Sequence, residues 1–361
     1  MDSASAPDRS PRLWRPRRVV ATRSAREHAH GRAILERAAG YGVEIVELSG
    51  DRLLLDLPDD PRRAYAEAKA TLAVTVAPPS KRRLQPIAPS ADWRVDLAEG
   101  CPAHCSYCYL AGSLKGPPIT RVYANLDEIL DSLPAYLGRG TITSRSSARA
   151  HEGTTFEASC YTDPLALEPL TGSLSAVITW FGHWEADAQL RFTSKFADVA
   201  PLLGLPHAGR TRMRASVNPP TFARFEGGTA PVAARLAALR AMALAGYPVG
   251  LTIAPIIAAP GWEDAYGALI EDAAAQLADV PALDLTVELI THRFTAGSKT
   301  VLESWYPGSA LDMSDRDRTT KRTKFGMEKQ VYDAATMKRL RSVFEREIAA
   351  ALPTARVLYW T

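Results

Sequence analysis

Residues 93–108 read WRVDLAEGCPAHCSYC, in which a predicted β-strand, Trp93–Leu97, runs directly into a loop with three cysteines. Cys101, Cys105 and Cys108 have the spacing C-x3-C-x2-C. Three thiolates on a loop just after a strand can converge on one metal centre. Because thiolates favour zinc or iron–sulfur clusters, this stretch predicts a metal site at the end of a strand.

Downstream of this strand the sequence alternates between predicted strands and helices. Five more strands are predicted, at Thr154–Ser159, Leu190–Thr193, Arg212–Val217, Val249–Ile253 and Leu283–Leu289. Helices are predicted at Leu126–Leu137, Ser173–Trp184, Ala197–Leu203, Val232–Ala245 and Glu263–Ala278. This alternation indicates a parallel sheet with right-handed crossovers. Six strands are too few for a closed eight-stranded barrel, so we predict an α/β fold with a partial (βα)6 TIM-type barrel over residues 91–297. In such folds the chemistry sits at the carboxyl ends of the strands.

The N-terminal part of the chain differs from the barrel in composition. Residues 1–20 are rich in Ser, Pro and Arg, and we predict a disordered basic tail. Residues 21–90 predict a small α/β region that ends in a proline-rich linker. Within this region, Val43–Leu48 and Leu53–Leu57 have the pattern of a β-hairpin.

Two further segments stand apart from the alternating pattern. Residues 298–361 form a C-terminal extension with a crowded basic segment, a predicted helix at Ala334–Ala351 and a strand-like stretch at Arg356–Trp360. The loop Gly138–Gly153 is long, polar and rich in Gly and Ser. We expect this loop to be mobile and to lie beside the active face.

Composition excludes several classes of protein. The chain has 361 residues, of which 46% are hydrophobic and 23% charged, so fibrous and wholly disordered classes are excluded. Four cysteines are too few for a disulfide scaffold, and a net charge of +3 permits a nucleic-acid partner without arguing for one. The longest uncharged run, Ala241–Trp262, is broken by Gly and Pro, which speaks against a membrane helix. We expect a cytoplasmic protein with reduced thiols and no membrane partner.

The cysteine loop leaves three interpretations open. A zinc site needs a fourth protein ligand, and His104 inside the loop or a more distant residue could supply it. Three unrelated buried cysteines are a second interpretation. A 4Fe–4S cluster on three cysteines is the third, and it leaves one iron open to bind a cofactor.

Several separated blocks of sequence together resemble one known family. The C-x3-C-x2-C loop, with an aromatic residue before its last cysteine, resembles the radical S-adenosylmethionine enzymes. The blocks Gly100–Leu110, Phe156–Asp163, Leu170–Ser173, Arg191–Lys195, Gly246–Pro255, Gly261–Glu263 and Glu288–Thr295 occur in the order of the spore photoproduct lyase family. The resemblance implies a 4Fe–4S cluster, S-adenosylmethionine as cofactor and a 5′-deoxyadenosyl radical that reverses the DNA lesion 5-thyminyl-5,6-dihydrothymine to two thymines.

The resemblance also implies which residues carry the radical. Cys160, the only cysteine outside the loop, stands where the family has its hydrogen-atom donor. A weak S–H bond suits that role, whereas a small buried side chain is the structural alternative. Tyr107 and Tyr109 match the tyrosines that relay the radical back to the cofactor, and ordinary core packing is their alternative.

Contacts to S-adenosylmethionine follow from the same resemblance. The residues implied are Tyr107, Ser159, Thr162, Lys195, Ser216 and Asn218. A lysine at the end of a strand can neutralise the methionine carboxylate, and a surface ion pair is the alternative.

DNA contacts are implied in the C-terminal extension. A lesion inside a duplex cannot reach a buried cluster, so the dinucleotide must be flipped out. The family has a β-hairpin wedge here, and the basic segment Arg316–Lys329 is its counterpart, although a solvated charged face is the alternative. The DNA-binding candidates are Arg293, Lys321, Arg322, Lys324 and Phe325. His292, beside Arg293, also ends the sixth strand and could face the lesion or a phosphate.

The partners implied are UV-damaged DNA and an external one-electron donor such as flavodoxin or ferredoxin.

Two alternatives to the leading hypothesis stay open. One is a radical S-adenosylmethionine enzyme of the same fold that acts on a different DNA or RNA substrate in a non-sporulating host. The other is a metal-stabilised nucleic-acid-binding protein without activity.

Overall fold

The structure is a computed structural model that describes residues 13–113, 117–322, 326 and 328–361. Its strands are β1 Arg18–Ala21, β2 Glu44–Glu47, β3 Thr71–Thr75, β4 Gln85–Ile87, β5 Ala91–Val95, β6 Ala98–Glu99, β7 His104–Cys105, β8 Thr120–Tyr123, β9 Thr154–Ala158, β10 Ala188–Ser194, β11 Thr211–Val217, β12 Glu226–Gly227, β13 Val249–Ile256, β14 Leu285–Thr291, β15 Arg318–Arg322, β16 Glu328–Tyr332 and β17 Arg356–Trp360. Its α-helices are α1 Ala29–Gly40, α2 Pro61–Lys69, α3 Pro79–Arg82, α4 Leu126–Asp131, α5 Pro164–Thr171, α6 Ser173–His183, α7 Val232–Leu244, α8 Trp262–Leu277, α9 Ala296–Trp305 and α10 Ala334–Ala351.

The larger sheet has eight strands in the order β17-β14-β13-β11-β10-β9-β5-β4. Neighbouring strands are parallel except for the antiparallel pair β4 and β5. The six strands predicted for the barrel lie side by side in chain order, from β5 to β14. A contact between distant strands shows that the sheet curls. Nη1 of Arg356, on the edge strand β17, lies 2.6 Å from Nε2 of His151, which precedes β9. This is a mixed α/β fold with a curled, mostly parallel sheet of the partial-barrel type.

Strand β11 illustrates how the sequence forms the barrel. Its residues are all buried, and they alternate between two faces with a period of two. Met213 and Ala215 belong to the main apolar core, which helices α6, α7 and α8 share. Arg212 and Arg214 alternate with them and are among the largest fully buried side chains. The barrel interior is therefore charged, while its outer face is apolar.

The smaller sheet has the order β2-β1-β3-β8-β6 and its own apolar core. Two predictions for this region are wrong. Residues 18–20 do not belong to a tail, because Arg18–Ala21 pairs with β2 and β3; residues 1–12 lie outside the described part of the chain. The predicted hairpin is also absent, because β2 pairs in parallel with β1 and residues 53–57 form no strand.

The C-terminal extension divides between the barrel and a separate hairpin. Strands β15 and β16 pair antiparallel, with Lys321 opposite Lys329. Helix α10 packs on α8. Strand β17 pairs with β14, so the predicted end of the barrel at residue 297 is too early: Arg356–Trp360 is a further parallel strand of the large sheet.

The loop Gly138–Gly153 differs from its prediction. It precedes β9 and therefore lies at the amino ends of the strands, opposite the face where chemistry is expected. The Asp92 carboxylate accepts hydrogen bonds from the backbone N–H groups of Ile142 (2.8 Å) and Thr143 (2.9 Å). Arg149 pairs with Glu152 and donates to backbone carbonyls just before β5. These contacts tie the loop across the amino-terminal end of the barrel.

Among the described residues, no helix combines the length and the apolar character needed to cross a membrane.

Candidate active site

A cavity of about 370 Å³ opens at the carboxyl ends of the barrel strands. The predicted site residues that line it are Cys101, Cys105, Tyr107, Cys108, Tyr109, Ser159, Cys160, Thr162, Lys195, Ser216 and Arg293. The chain thus brings together the cysteine loop and the ends of β9, β10, β11 and β14.

The cysteine loop is held by helix α2 from the N-terminal region. Lys69 is 6% exposed, and its ammonium group donates hydrogen bonds to the backbone carbonyls of Cys101 and Ala103. Tyr65, one turn earlier, has its hydroxyl 2.9 Å from Nδ1 of His104. His104 is not part of the cavity lining. A helix outside the barrel therefore fixes the backbone that presents the thiols.

The donor set fits an iron–sulfur cluster. Cys101, Cys105 and Cys108 are free thiols that face one cavity, and thiolates are the ligands of such clusters. Burial raises the pKa of Cys101 and of Cys105 to about 12, so a metal must displace their protons on binding. No three His, Cys, Asp or Glu side chains in the described ranges lie close enough together to hold a single metal ion.

Cys160 also lines the cavity, two residues after the end of β9. It is a half-buried free thiol, and it follows Ser159, whose φ of 52° turns the chain sharply after the strand. Burial, and then the negative charge of Glu157, raise the pKa of Cys160 far above its ordinary value. The side chain is therefore a protonated thiol at neutral pH, with its S–H bond intact.

Glu226 is the centre of a buried hydrogen-bond network beneath the cavity. Its carboxylate accepts from the Tyr107 hydroxyl, from Lys195 Nζ at 2.9 Å and from Asn218 Nδ2 at 3.1 Å, and it pairs with Arg235 at 2.6 Å. Burial alone would raise the pKa of Glu226, but the charges of Lys195 and Arg235 outweigh burial and lower it to about 2. The network fixes the orientation of the Tyr107 ring and the Lys195 amine.

The remaining predicted cofactor contacts occupy different positions. Thr162 lines the cavity, and its Oγ1 is a buried atom without a hydrogen-bond partner among the described residues. Ser216 lines the cavity as well, and its backbone carbonyl accepts from Arg235. Asn218 does not line the cavity; besides Glu226, its amide contacts the carbonyl of Ala254 and the hydroxyl of Tyr266.

The floor of the cavity is a buried layer of charge. Arg214 on β11 pairs with Glu157 on β9 and with Glu288 on β14, the latter at 2.7 Å. The Tyr359 hydroxyl from β17 donates to Glu288 at 3.0 Å. One arginine thus links strands across the curled sheet.

The predicted DNA contacts separate into two groups. Arg293 lies at the cavity mouth, with its guanidinium carbon 5.3 Å from the centre of the half-exposed Tyr109 ring. Lys321 and Arg322 are exposed on β15 and do not line the cavity. Lys324 and Phe325 lie outside the described residues.

Three elements of the site escaped sequence reasoning: Lys69, Glu226 and the Arg214 layer. Lys69 and Glu226 are distant in sequence from the groups they contact, and no spacing marks them. The arginines in Arg212–Val217 could have been noticed, because a buried parallel strand is ordinarily apolar throughout.

Comparison with known proteins places this chain beside one family. The model of the family described as spore photoproduct lyase matches residues 14–361. A spore photoproduct lyase of Geobacillus sp. (strain Y412MC61) is 37% identical over 96% of this chain and 98% of its own length. The enzyme of that name from Bacillus subtilis (strain 168) is 35% identical over the same shares.

Solved structures give the same result. A cysteine-to-alanine variant of spore photoproduct lyase with dinucleoside spore photoproduct matches with a TM-score of 0.89 and 36% identity, over 97% of this chain and 100% of that chain. A double variant with bound AdoMet and dinucleoside spore photoproduct matches with a TM-score of 0.88 and 35% identity, over the same shares.

Proposed function

Because this chain belongs to the spore photoproduct lyase family, we propose that it is a radical S-adenosylmethionine lyase that reverses 5-thyminyl-5,6-dihydrothymine in DNA to two thymines. The observation that carries the proposal is that three loop cysteines and a separate protonated thiol, Cys160, line one cavity. Relatives bind AdoMet and dinucleoside spore photoproduct in their solved structures. The six neighbouring strands from β5 to β14 would form the partial barrel that surrounds the chemistry.

The proposed cofactors match groups that the cavity presents. Cys101, Cys105 and Cys108 would hold a 4Fe–4S cluster. S-adenosylmethionine would be contacted by Tyr107, Ser159, Thr162, Lys195 and Ser216, with Asn218 acting from behind through Glu226. The partnerless Thr162 Oγ1 supports this assignment, because a buried hydroxyl without a partner is costly. When bound, these groups supply one-electron radical chemistry inside the cavity.

Cys160 would act on the substrate. When the bond between the two thymines breaks, one thymine keeps an unpaired electron and needs a hydrogen atom. The Cys160 thiol gives that atom, so S–H breaks and C–H forms, which leaves a thiyl radical. A thiol pKa far above neutrality supports this role, because a thiolate has no hydrogen atom to give.

Tyr107 and Tyr109 would return the radical from the thiyl group. Both line the cavity. The Tyr107 hydroxyl is held by Glu226, which fixes the ring in one orientation. Tyr109 is 41% exposed, and Arg293 lies against its ring. Its exposure and its place in the cavity lining support a role at the solvent side of the site.

The hairpin β15–β16 would contact the DNA duplex around the flipped lesion. Lys321 and Lys329 face each other in register, and like charges directly opposite are destabilising unless an anion lies nearby. Burial, with the charges of Arg293 and Lys321, lowers the pKa of Lys329. A DNA phosphate would relieve this crowding, and Arg322, Lys324 and Phe325 would extend the same contact.

Each region of the chain would have its own role in the repair reaction. The N-terminal α/β region up to residue 90 would support the cysteine loop, residues 91–297 with β17 would form the radical barrel, and the rest of the C-terminal extension would contact DNA. UV-damaged DNA would be the substrate, and an external one-electron donor such as flavodoxin or ferredoxin would reduce the cluster. A cytoplasmic location would keep the four thiols reduced.

The decisive experiment is repair of a synthetic lesion. The protein, purified and reconstituted without oxygen, is incubated with S-adenosylmethionine, dithionite and dinucleotide spore photoproduct, and the nucleosides are separated by chromatography. We expect the undamaged thymidine dinucleotide. Formation of 5′-deoxyadenosine while the lesion stays intact would instead support a radical enzyme with a different nucleic-acid substrate.

A further inference from the structure

His292 is a polar residue of the cavity without a role in the proposed radical chemistry. It directly follows β14, is 2% exposed and lines the cavity. Its backbone N–H donates to the carbonyl of Ile256 at 2.9 Å, which fixes the residue against β13. The ring therefore has a defined place at the carboxyl end of the sheet.

Arg318, the first residue of β15, determines which ring nitrogen carries the hydrogen. Its Nη2 lies 2.9 Å from Nδ1 of His292, and its Nη1 donates to the His292 carbonyl at 2.6 Å. A guanidinium can only donate hydrogen bonds, so Nδ1 must be the acceptor and the hydrogen must be on Nε2. Burial, and then the charge of Arg318, lower the pKa of His292 to about 3, so the ring is neutral.

The Nε2 atom is buried and has no hydrogen-bond partner among the described residues. Buried N–H groups without a partner are rare in proteins, and each calls for an explanation. We propose that the Nε2–H of His292 donates a hydrogen bond to a carbonyl oxygen of the flipped lesion base, and that Arg318 is the positioning residue that fixes this tautomer. The inference rests on the proposed function, because the acceptor of this hydrogen bond belongs to the proposed substrate.

The absence of charge on the His292 ring distinguishes this contact from a contact to a phosphate. A neutral N–H group matches a neutral thymine carbonyl, whereas the neighbouring Arg293, half-buried at the mouth, offers a full charge to a phosphate. The contact also connects two parts of the molecule. Arg318 stacks on Tyr332 of β16 with its guanidinium carbon 3.9 Å from the ring centre, so the hairpin that would hold the duplex also orients a donor inside the barrel.

Two substitutions of similar polarity test the donor. His292→Gln can place an amide N–H near the position of Nε2, whereas His292→Asn is too short to reach it. We measure the binding of dinucleoside spore photoproduct, which has no phosphate, to the full-length protein with S-adenosylmethionine present. We expect about tenfold weaker binding for His292→Asn and nearly unchanged binding for His292→Gln. Equal affinity of wild type and both variants would overturn the inference.

A spectroscopic measurement tests the tautomer without any substrate. In ¹⁵N-histidine NMR spectra of the full chain, His292 should have a protonated Nε2 and an unprotonated Nδ1. Arg318→Met should remove this bias and weaken dinucleoside binding, but it should change binding little in a His292→Asn background. A protonated Nδ1 in the wild type would overturn the inference. Failure of the wild type to bind the dinucleoside at all would instead count against the proposed function.

Discussion

At the scale of single residues, Cys160 matters through the hydrogen on its sulfur. Cys160→Ala removes that hydrogen but leaves the three loop cysteines in place. We expect normal iron content and normal 5′-deoxyadenosine formation, with the thymine radical diverted into side products. Chromatography of the reaction products measures this. Clean conversion to two thymines by the variant would remove Cys160 from the mechanism.

Glu226 allows a second test, on stability. Glu226→Gln leaves the buried Arg235 and the partly buried Lys195 without their counter-charge, so we expect a loss of about 3–5 kcal/mol in the free energy of unfolding. The pKa of Glu226 is about 2 in the folded protein, against an ordinary value of 4.5. A carboxyl group with a lowered pKa stabilises the protein fully above about pH 4.5, and this contribution is lost as the pH falls towards 2.

Urea unfolding of both proteins between pH 7 and pH 3 measures this difference. The stability gap between wild type and Glu226→Gln should narrow as the solution becomes more acidic. A gap that stays constant across this range would show that the Glu226 charge is not what stabilises the network.

At the scale of elements, helix α2 controls the cysteine loop from outside the barrel. Lys69→Met removes two hydrogen bonds to carbonyls of that loop. We expect fewer iron atoms per chain after anaerobic reconstitution, with an unchanged far-ultraviolet circular dichroism spectrum. Arg63 lies on the exposed face of the same helix, so Arg63→Met is the matched control and should bind as much iron as the wild type. Full iron content in Lys69→Met would refute this support role.

The hairpin β15–β16 is tested by the salt dependence of DNA binding. Replacing Lys321 and Arg322 by Ala removes two exposed cations, so the slope of log affinity against log salt should fall by about 2. Replacing Arg62 and Arg63 on α2 by Ala removes the same charge elsewhere and should leave the slope unchanged. The affinity for a DNA duplex is measured by titration at several salt concentrations for the wild type and both double variants. A slope unaffected by the hairpin variant would make this segment a solvated face.

The elements show where sequence reasoning succeeds and where it stops. A strand such as β13 was predictable because a buried parallel strand leaves a short apolar run between turn residues. The sequence of a strand does not show which other strand it pairs with. The hairpin prediction for β2 is therefore wrong, because β2 pairs with β1. The same limit applies to the site: Cys101, Cys105 and Cys108 are close in sequence, whereas Lys69 and Glu226 contact the cavity-lining segments only because of the fold.

At the scale of the whole molecule, the charged floor links four strands of the sheet through Arg214. Arg214→Met leaves Glu157 and Glu288 buried together, and we expect a loss of about 3–5 kcal/mol in stability. Burial alone would raise the pKa of Glu288, but Arg214 and then Arg191 outweigh it and hold the pKa below its ordinary value in the wild type. Wild-type stability should therefore stay constant down to about pH 4.5 and fall below it, while that of the variant should rise as its carboxylates are neutralised.

Denaturant unfolding of both proteins between pH 7 and pH 3 measures the sign of this effect. Arg240→Met is the matched control, because Arg240 pairs with Asp279 in an exposed ion pair that is worth little. A variant at Arg214 that loses stability on acidification, as the wild type does, would contradict the interpretation.

The tied loop at the amino ends of the strands has a consequence for the order of events. The contacts of Asp92 and Arg149 hold this loop over the amino ends of the strands, whereas the cavity that Arg293 lines opens at their carboxyl ends. A DNA duplex bound at the carboxyl ends of the strands would cover the opening of the cavity. Under the proposed function, we expect S-adenosylmethionine to bind before the DNA and its cleavage products to leave after the DNA.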